Sequence, residues 1–258
     1  MKVVLFCGGL GMRLRDYDEN VPKPMVTVGY RPIMWHLMKY YAHFGHKDFV
    51  LCLGHRGDVI KQYFLTYNEC LSNDFVLAEG GRQVHLLNSD IQDWRITFAD
   101  TGAHSAIGER LRQVRSHLAG EEMFLANYTD CLTDLRLDVF VEAFRRSQCV
   151  AGLVAVAPQV SYHYISAGPD GRVDSLTDAN HTRLRVNGGF FIFRQAIFDY
   201  LREGDDLVDG PFQRLIDDRR LMAYAYDGFW RAMDTFKDKQ QLEALLATGR
   251  PPWEVWRG

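Results

Sequence analysis

The sequence predicts an α/β fold: a doubly wound, largely parallel (Rossmann-like) sheet with a smaller region in the second half. Three observations predict it. A continuous apolar, β-prone run, "VVLFC" at 3–7, ends abruptly at Gly8-Gly9, as a buried strand entering a loop does. Strand, helix, strand and helix patterns then alternate within the first 65 residues. Finally, the 258-residue chain shows no internal repeat, low-complexity stretch or linker, so it reads as one domain over 1–258.

Taken in order, "PIMWHLMKYYAHFG" (32–45) opens with proline and closes with glycine, the preferences of a helix start and stop. Its Ile33, Leu37, Tyr40, Tyr41 and Phe44 fall on one helical face. "DFVLCLG" (48–54) reads as a second buried strand and "GDVIKQYFLTY" (57–67) as an amphipathic helix. Further strands are expected at 75–78, 95–99, 123–127, 150–156 and 186–193, and helices at 105–118, 137–147, 195–202, 211–217 and 236–246. The tail, about 248–258, is broken by prolines and carries Trp253 and Trp256, which need a surface to dock on, their own core or a neighbouring subunit.

Composition excludes several classes. Hydrophobic residues make up 47% and charged residues 24%, and the net charge is −3, so neither nucleic acid nor an anionic membrane is the expected partner. No apolar run approaches the ~18 residues of a membrane span, and the five apolar residues before Gly8 are too few for a signal peptide. Five scattered cysteines, none in a CxxC pair, support neither a disulfide framework nor a zinc site and suit a reducing cytoplasm. His36 and His43, seven apart on one helix, match no metal spacing and read as packing or surface residues.

The chemistry gathers around "GGLGMRLRDYDENVPKPM" (8–25). Gly8, Gly9 and Gly11 follow the first strand directly, and glycines there let backbone N–H groups approach an anion closely. The loop is neither a dinucleotide fingerprint, since Leu14 stands where the last glycine belongs, nor a P-loop, since no GK[ST] follows. Arg13, two residues past the last glycine, and Lys23, held between Pro22 and Pro24, nonetheless supply the positive charge a polyphosphate needs. Asp130 closes another apolar strand, where such sheets place ligand-binding residues, and Asp234 precedes a helix it could also cap.

"GGLGMRL", "KPM", "DWRITFADTG", "IGERL", "FLANYTDCLTDL", "VNGGFFIF" and "GFWRAMDTFKDKQQLEALLATGRPPWEVW" together resemble the sugar-1-phosphate nucleotidyltransferase family. The resemblance covers nearly the whole chain and is nearest to the glucose-1-phosphate cytidylyltransferase branch. It implies Mg²⁺-dependent transfer from CTP to a sugar-1-phosphate, giving a CDP-sugar and pyrophosphate, by an enzyme that forms a homo-oligomer. Arg13 and Lys23 are then the catalytic charges on the triphosphate, with Gly8, Gly9 and Gly11 wrapping the nucleotide. Asp130 and Asp234 map onto the metal aspartates. Thr101, Gly102 and Arg110 fall in the nucleotide site, with Glu79-Gly80 a weaker candidate, and Arg110 has the alternative reading of a helix-surface residue.

Two departures from the family pattern stand out. Around Asp130 the family has Y-G-D-G, whereas this chain reads Tyr128-Thr129-Asp130-Cys131. On the acceptor side, E-K-P is replaced by Asp178-Ala179-Asn180, and no lysine occurs between Lys61 and Lys237. The sugar phosphate is therefore expected to meet Asn187, Gly188 and the nearest cations, Arg183 and Arg185. Three alternatives follow: another nucleotide, another phosphorylated acceptor, or a catalytically weak nucleotide-binding regulatory or assembly subunit.

Overall fold

In a computed structural model, residues 1–8, 21–159, 163–178 and 184–257 are described. Seven strands form the central sheet: β1 (Val3–Phe6), β2 (Asp48–Leu53), β3 (Arg95–Asp100), β4 (Met123–Asn127), β5 (Ala151–Val156), β6 (Val186–Arg194) and β7 (Leu221–Tyr226). Their order across the sheet is β7-β5-β6-β4-β1-β2-β3. β6 alone among them runs antiparallel to both neighbours, and the remaining pairs are parallel, so the largely parallel expectation holds. Alternation along β1 divides the core: Val3 and Leu5 join the hydrophobic cluster on one face, Val4 and Phe6 the cluster on the other. A strand apolar at every position is thus buried on both sides, which is why it reads as a continuous run.

Helices α1 (Ile33–His43), α2 (Gly57–Leu65), α3 (Ile107–Gln113), α4 (Leu137–Arg146), α5 (Gln213–Asp217) and α6 (Phe236–Ala247) complete the frame. Among the described residues no helix is long and apolar enough to cross a membrane.

Several elements differ from the sequence reading. The expected helix over 105–118 divides into α3 and a 3₁₀ turn, Arg115–Leu118, and the one over 195–202 is a 3₁₀ turn, Gln195–Asp199. The segment 75–78 is a strand, but it pairs with Gln83–Leu86 in a separate hairpin rather than joining the sheet. β7, read as no strand at all, forms the sheet's edge beside β5. Its alternating pattern is only half-buried, which gives a weaker signal than the runs at the sheet's centre. Short pairs such as Cys131–Thr133 with Trp230–Ala232 are too brief to show a period.

The strand order 3-2-1-4 places a topological switch between β1 and β4. Crevices of such sheets open at the carboxyl ends of strands flanking that point. Here those ends are Cys7-Gly8 and Tyr128-Thr129-Asp130.

Candidate functional site

Each charged group in this crevice is delivered by a different local device. Lys23 opens a 3₁₀ turn, Lys23–Met25, which Pro22 pre-sets and two backbone bonds close: Met25 N to Pro22 O (2.8 Å) and Val26 N to Lys23 O (3.1 Å). Pro24 and Met25 are buried and anchor the turn while the lysine side chain reaches into the crevice. Asp130 follows β4. Asp234 arrives from a segment more than a hundred residues later, because Trp230–Ala232 pairs antiparallel with Cys131–Thr133 and Met233 N donates to Asp130 O at 2.8 Å.

The result is one ammonium between two carboxylates. Lys23 Nζ lies 2.7 Å from Asp130 Oδ2 and 2.6 Å from Asp234 Oδ1. Burial would pull the lysine's pKa down, but Asp130 and then Asp234 outweigh it and hold the pKa above its ordinary value, so the ammonium stays charged. Burial also pushes the Asp130 carboxyl up, with Lys23 opposing and Asp234 adding to the rise. The capping reading of Asp234 resolves cleanly. Thr235 is the N-cap of α6 and forms a capping box with Asp238, leaving the Asp234 carboxylate to face Lys23.

Thr129, which stands at a family glycine, adopts φ +69°. That left-handed region costs a β-branched residue more than a glycine. Its amide donates to Asn127 Oδ1 (2.8 Å), and its hydroxyl lies within hydrogen-bond reach of Phe6 O (3.1 Å) and Tyr128 O (2.5 Å). The side chain is 1% exposed, so it clasps the end of β1 to the turn that presents Asp130.

The nucleotide-side residues divide into those that face the crevice and those that support it. Gly8 lines the crevice together with Lys23, Tyr128 and Asp130. Arg110 lies on a buried face of α3 rather than on the helix surface: it is 1% exposed and donates to Leu53 O (3.1 Å) and Thr101 Oγ1 (2.8 Å). A Cβ on Gly8 would come within 2.2 Å of that guanidinium, and one on Gly54 within 2.9 Å. Both strand ends therefore need glycine so that they can close over one arginine. Thr101 also gives its hydroxyl to Leu53 O (2.8 Å), and Gly102, exposed at φ +82°, donates its amide N–H to Asp100 Oδ1 (3.0 Å). Glu79-Gly80 sits in the exposed turn of the separate hairpin.

On the β6 side, Asn187 Nδ2 donates to Tyr128 OH (3.4 Å) while its Oδ1 accepts from Gly189 N (2.9 Å). Gly188 O accepts from Trp230 Nε1 at 2.8 Å, an aromatic wall that the sequence reading missed. Its only signal was position, at the start of the short strand that leads to Asp234. Arg185 pairs with Asp227 (2.7 Å) and donates to Tyr226 O (2.9 Å), so its charge is already engaged. Gly9, Gly11, Arg13 and Arg183, all expected at the site, lie outside the described residues.

Two carboxylates sharing one small cation are a donor set suited to Mg²⁺, which takes oxygen ligands and seldom more than two protein carboxylates, leaving the rest to water and phosphate. No group of three or more His, Cys, Asp or Glu side chains able to hold a metal occurs among the described residues. A loop glycine, an ammonium and paired carboxylates in one crevice can bind a polyphosphate, neutralise charge developing on it and support in-line displacement at phosphorus.

Comparison with known proteins gives four matches of note. The nucleotidyl transferase family model matches residues 2–238. The glucose-1-phosphate cytidylyltransferase of Salmonella typhimurium is 35% identical, with 99% of this chain and all of that protein covered. Among solved structures, UDP-glucose pyrophosphorylase complexed with UDP-glucose superposes with a TM-score of 0.69 at 14% identity, covering 96% of this chain and 99% of that one. HddC from Yersinia pseudotuberculosis superposes with a TM-score of 0.66 at 18% identity, covering 94% and 98%. At those identities the two structures speak for the fold alone.

Proposed function

The chain belongs to the nucleotidyl transferase family, and we propose that it transfers a cytidylyl group from CTP to a sugar-1-phosphate, glucose-1-phosphate foremost, releasing pyrophosphate. The observation that carries this reading is Lys23 Nζ held between Asp130 and Asp234 beside Gly8, at the switch point of the sheet. Full-length similarity to a cytidylyltransferase supports the choice of nucleotide and acceptor.

In the reaction, an oxygen of the sugar phosphate attacks the α-phosphorus of CTP and the bond to pyrophosphate breaks. Gly8, with Gly9 and Gly11, lets the backbone approach the triphosphate. Lys23 and Arg13 offset the charge that accumulates as pyrophosphate departs. Asp130 and Asp234 would hold Mg²⁺, which when bound neutralises and orients the reacting phosphates. Arg110 and Thr101 keep the ends of β1, β2 and β3 in register beneath the nucleotide. Asn187 and Gly188, beside Tyr128 and Trp230, form the acceptor wall, and Arg183, or Arg185 on exchanging Asp227 for phosphate, supplies the cation that a family lysine would give.

We also assign residues 1–258 to a single catalytic domain acting in the cytoplasm as a homo-oligomer. The experiment that tests the nucleotide assignment is pyrophosphate release with CTP, UTP, GTP, ATP and dTTP, each paired with glucose-1-phosphate. CTP should give the highest kcat/KM. Preference for another triphosphate would move the chain to another branch of the family, and pyrophosphate release with none of them would favour a nucleotide-binding subunit without efficient transfer.

A further inference from the structure

The two carboxylates that suit a metal are already bridged by a cation of the protein's own. Lys23 Nζ contacts one oxygen of each, at 2.7 and 2.6 Å, and its side chain is only 20% exposed. A divalent ion bound to those same oxygens would lie within about 5 Å of the ammonium, from the 2.0–2.1 Å reach of Mg²⁺ and the bond lengths above. Like charges at that separation repel, and a partly buried bridge screens them less than bulk water does. Each cation therefore weakens the other's hold on the bridge.

We infer that Lys23 and the divalent metal compete for the bridge between Asp130 and Asp234, so that metal binding expels the Lys23 ammonium from the carboxylates and makes it available to the triphosphate. This rests on the reading of those aspartates as the metal site. Lys23 is then an exchangeable counter-ion. It keeps two neighbouring carboxylates neutralised while no metal is bound, and it changes partners from carboxylate to phosphate when metal arrives. The turn supports such an exchange: Pro24 and Met25 anchor its backbone in the core, so a side-chain rotation suffices and no element need move. The exchange also makes metal and triphosphate binding mutually reinforcing, since each stabilises the arrangement the other requires.

The test measures Mn²⁺ alone, without nucleotide, by electron paramagnetic resonance titration of the full chain. Lys23→Met removes the competitor and should bind Mn²⁺ at least about tenfold more tightly than wild type; Lys23→Arg keeps a competing cation and should remain weak. Unchanged or weaker binding by Lys23→Met would overturn the inference. Asp130→Asn in the Lys23→Met background separates the two layers of the argument. If it abolishes Mn²⁺ binding, the metal-site reading stands whatever Lys23 does. If it changes nothing, that reading fails. Should Lys23→Met not fold, as judged by circular dichroism, wild type decides the matter. Saturating Mg²⁺ should raise acylation of Lys23 by an amine-directed reagent several-fold, read by mass spectrometry of its peptide. Labelling unaffected by Mg²⁺ would show that the ammonium stays on the carboxylates and would contradict the exchange.

Discussion

Thr129 holds a left-handed conformation, φ +69°, next to the residue on which the site depends, and hydrogen bonds at both its amide and its hydroxyl keep it there. Thr129→Val keeps the shape but leaves a buried carbonyl without its donor, and should cost about 1–3 kcal/mol in denaturant unfolding. Thr129→Ser should recover most of that loss. Equal stability of the valine variant would show that the hydroxyl does not hold the turn. Lys23 behaves differently. With Mg²⁺ saturating, so that the two carboxylates stay neutralised, Lys23→Ala should lower kcat by roughly 10²–10³ while shifting Tm little, because a preorganised charge is lost rather than core packing. Near-full turnover would remove it from the catalytic group. Lys23, Asp130 and Asp234 were legible as residues because each stands beside a pattern: prolines, the end of an apolar strand, a helix start. That Arg110 is buried beneath Gly8 was not legible, since a helix two strands away in sequence supplies it and no local period shows which way its side chain turns.

At the level of elements, the tail docks on its own chain. Trp253 is fully buried beside Phe229, and its Nε1 donates to His36 Nδ1 at 3.3 Å while His36 Nε2 bonds Val28 O at 3.0 Å. One ring nitrogen must therefore accept and the other donate, which only the neutral imidazole does. Burial lowers the His36 pKa to about 4. The unfolded chain takes up its proton first, near 6.5, so folding stability falls as pH drops from about 6.5 towards 4, by up to about 3 kcal/mol from this residue. His46, also lowered to about 4 by burial, adds the same sign. Unfolding curves at pH 7, 5.5 and 4.5 should show the decline, and His36→Gln should flatten it; an unaltered slope would contradict the locked tautomer. Trp253→Ala should cost about 3–5 kcal/mol. The tail's two tryptophans marked it as a docking segment, but only the fold shows α1 as its partner. Trp256 is less deeply buried, against Trp35, and deleting residues 251–258 while measuring mass in solution tests whether the tail also joins subunits.

Across the whole molecule, the alternation of strands and helices in the first 65 residues carried the parallel half of the sheet, because strands buried on both faces announce themselves as unbroken apolar runs. The second half was harder to read. β6 runs antiparallel and β7 is a half-buried edge, so neither follows the strand–helix rhythm that the first half sets up. Convergence of Lys23, Asp130 and Asp234 likewise depends on a three-residue strand pairing that no sequence window contains. The central claim is that this convergence performs cytidylyl transfer, and mass spectrometry of the product tests it most directly. With CTP, glucose-1-phosphate and Mg²⁺, the wild-type chain should form CDP-glucose and pyrophosphate in equal amounts, and Asp130→Asn and Asp234→Asn should each abolish both. Absence of CDP-glucose from the wild type, or its undiminished formation by either asparagine variant, would contradict the account.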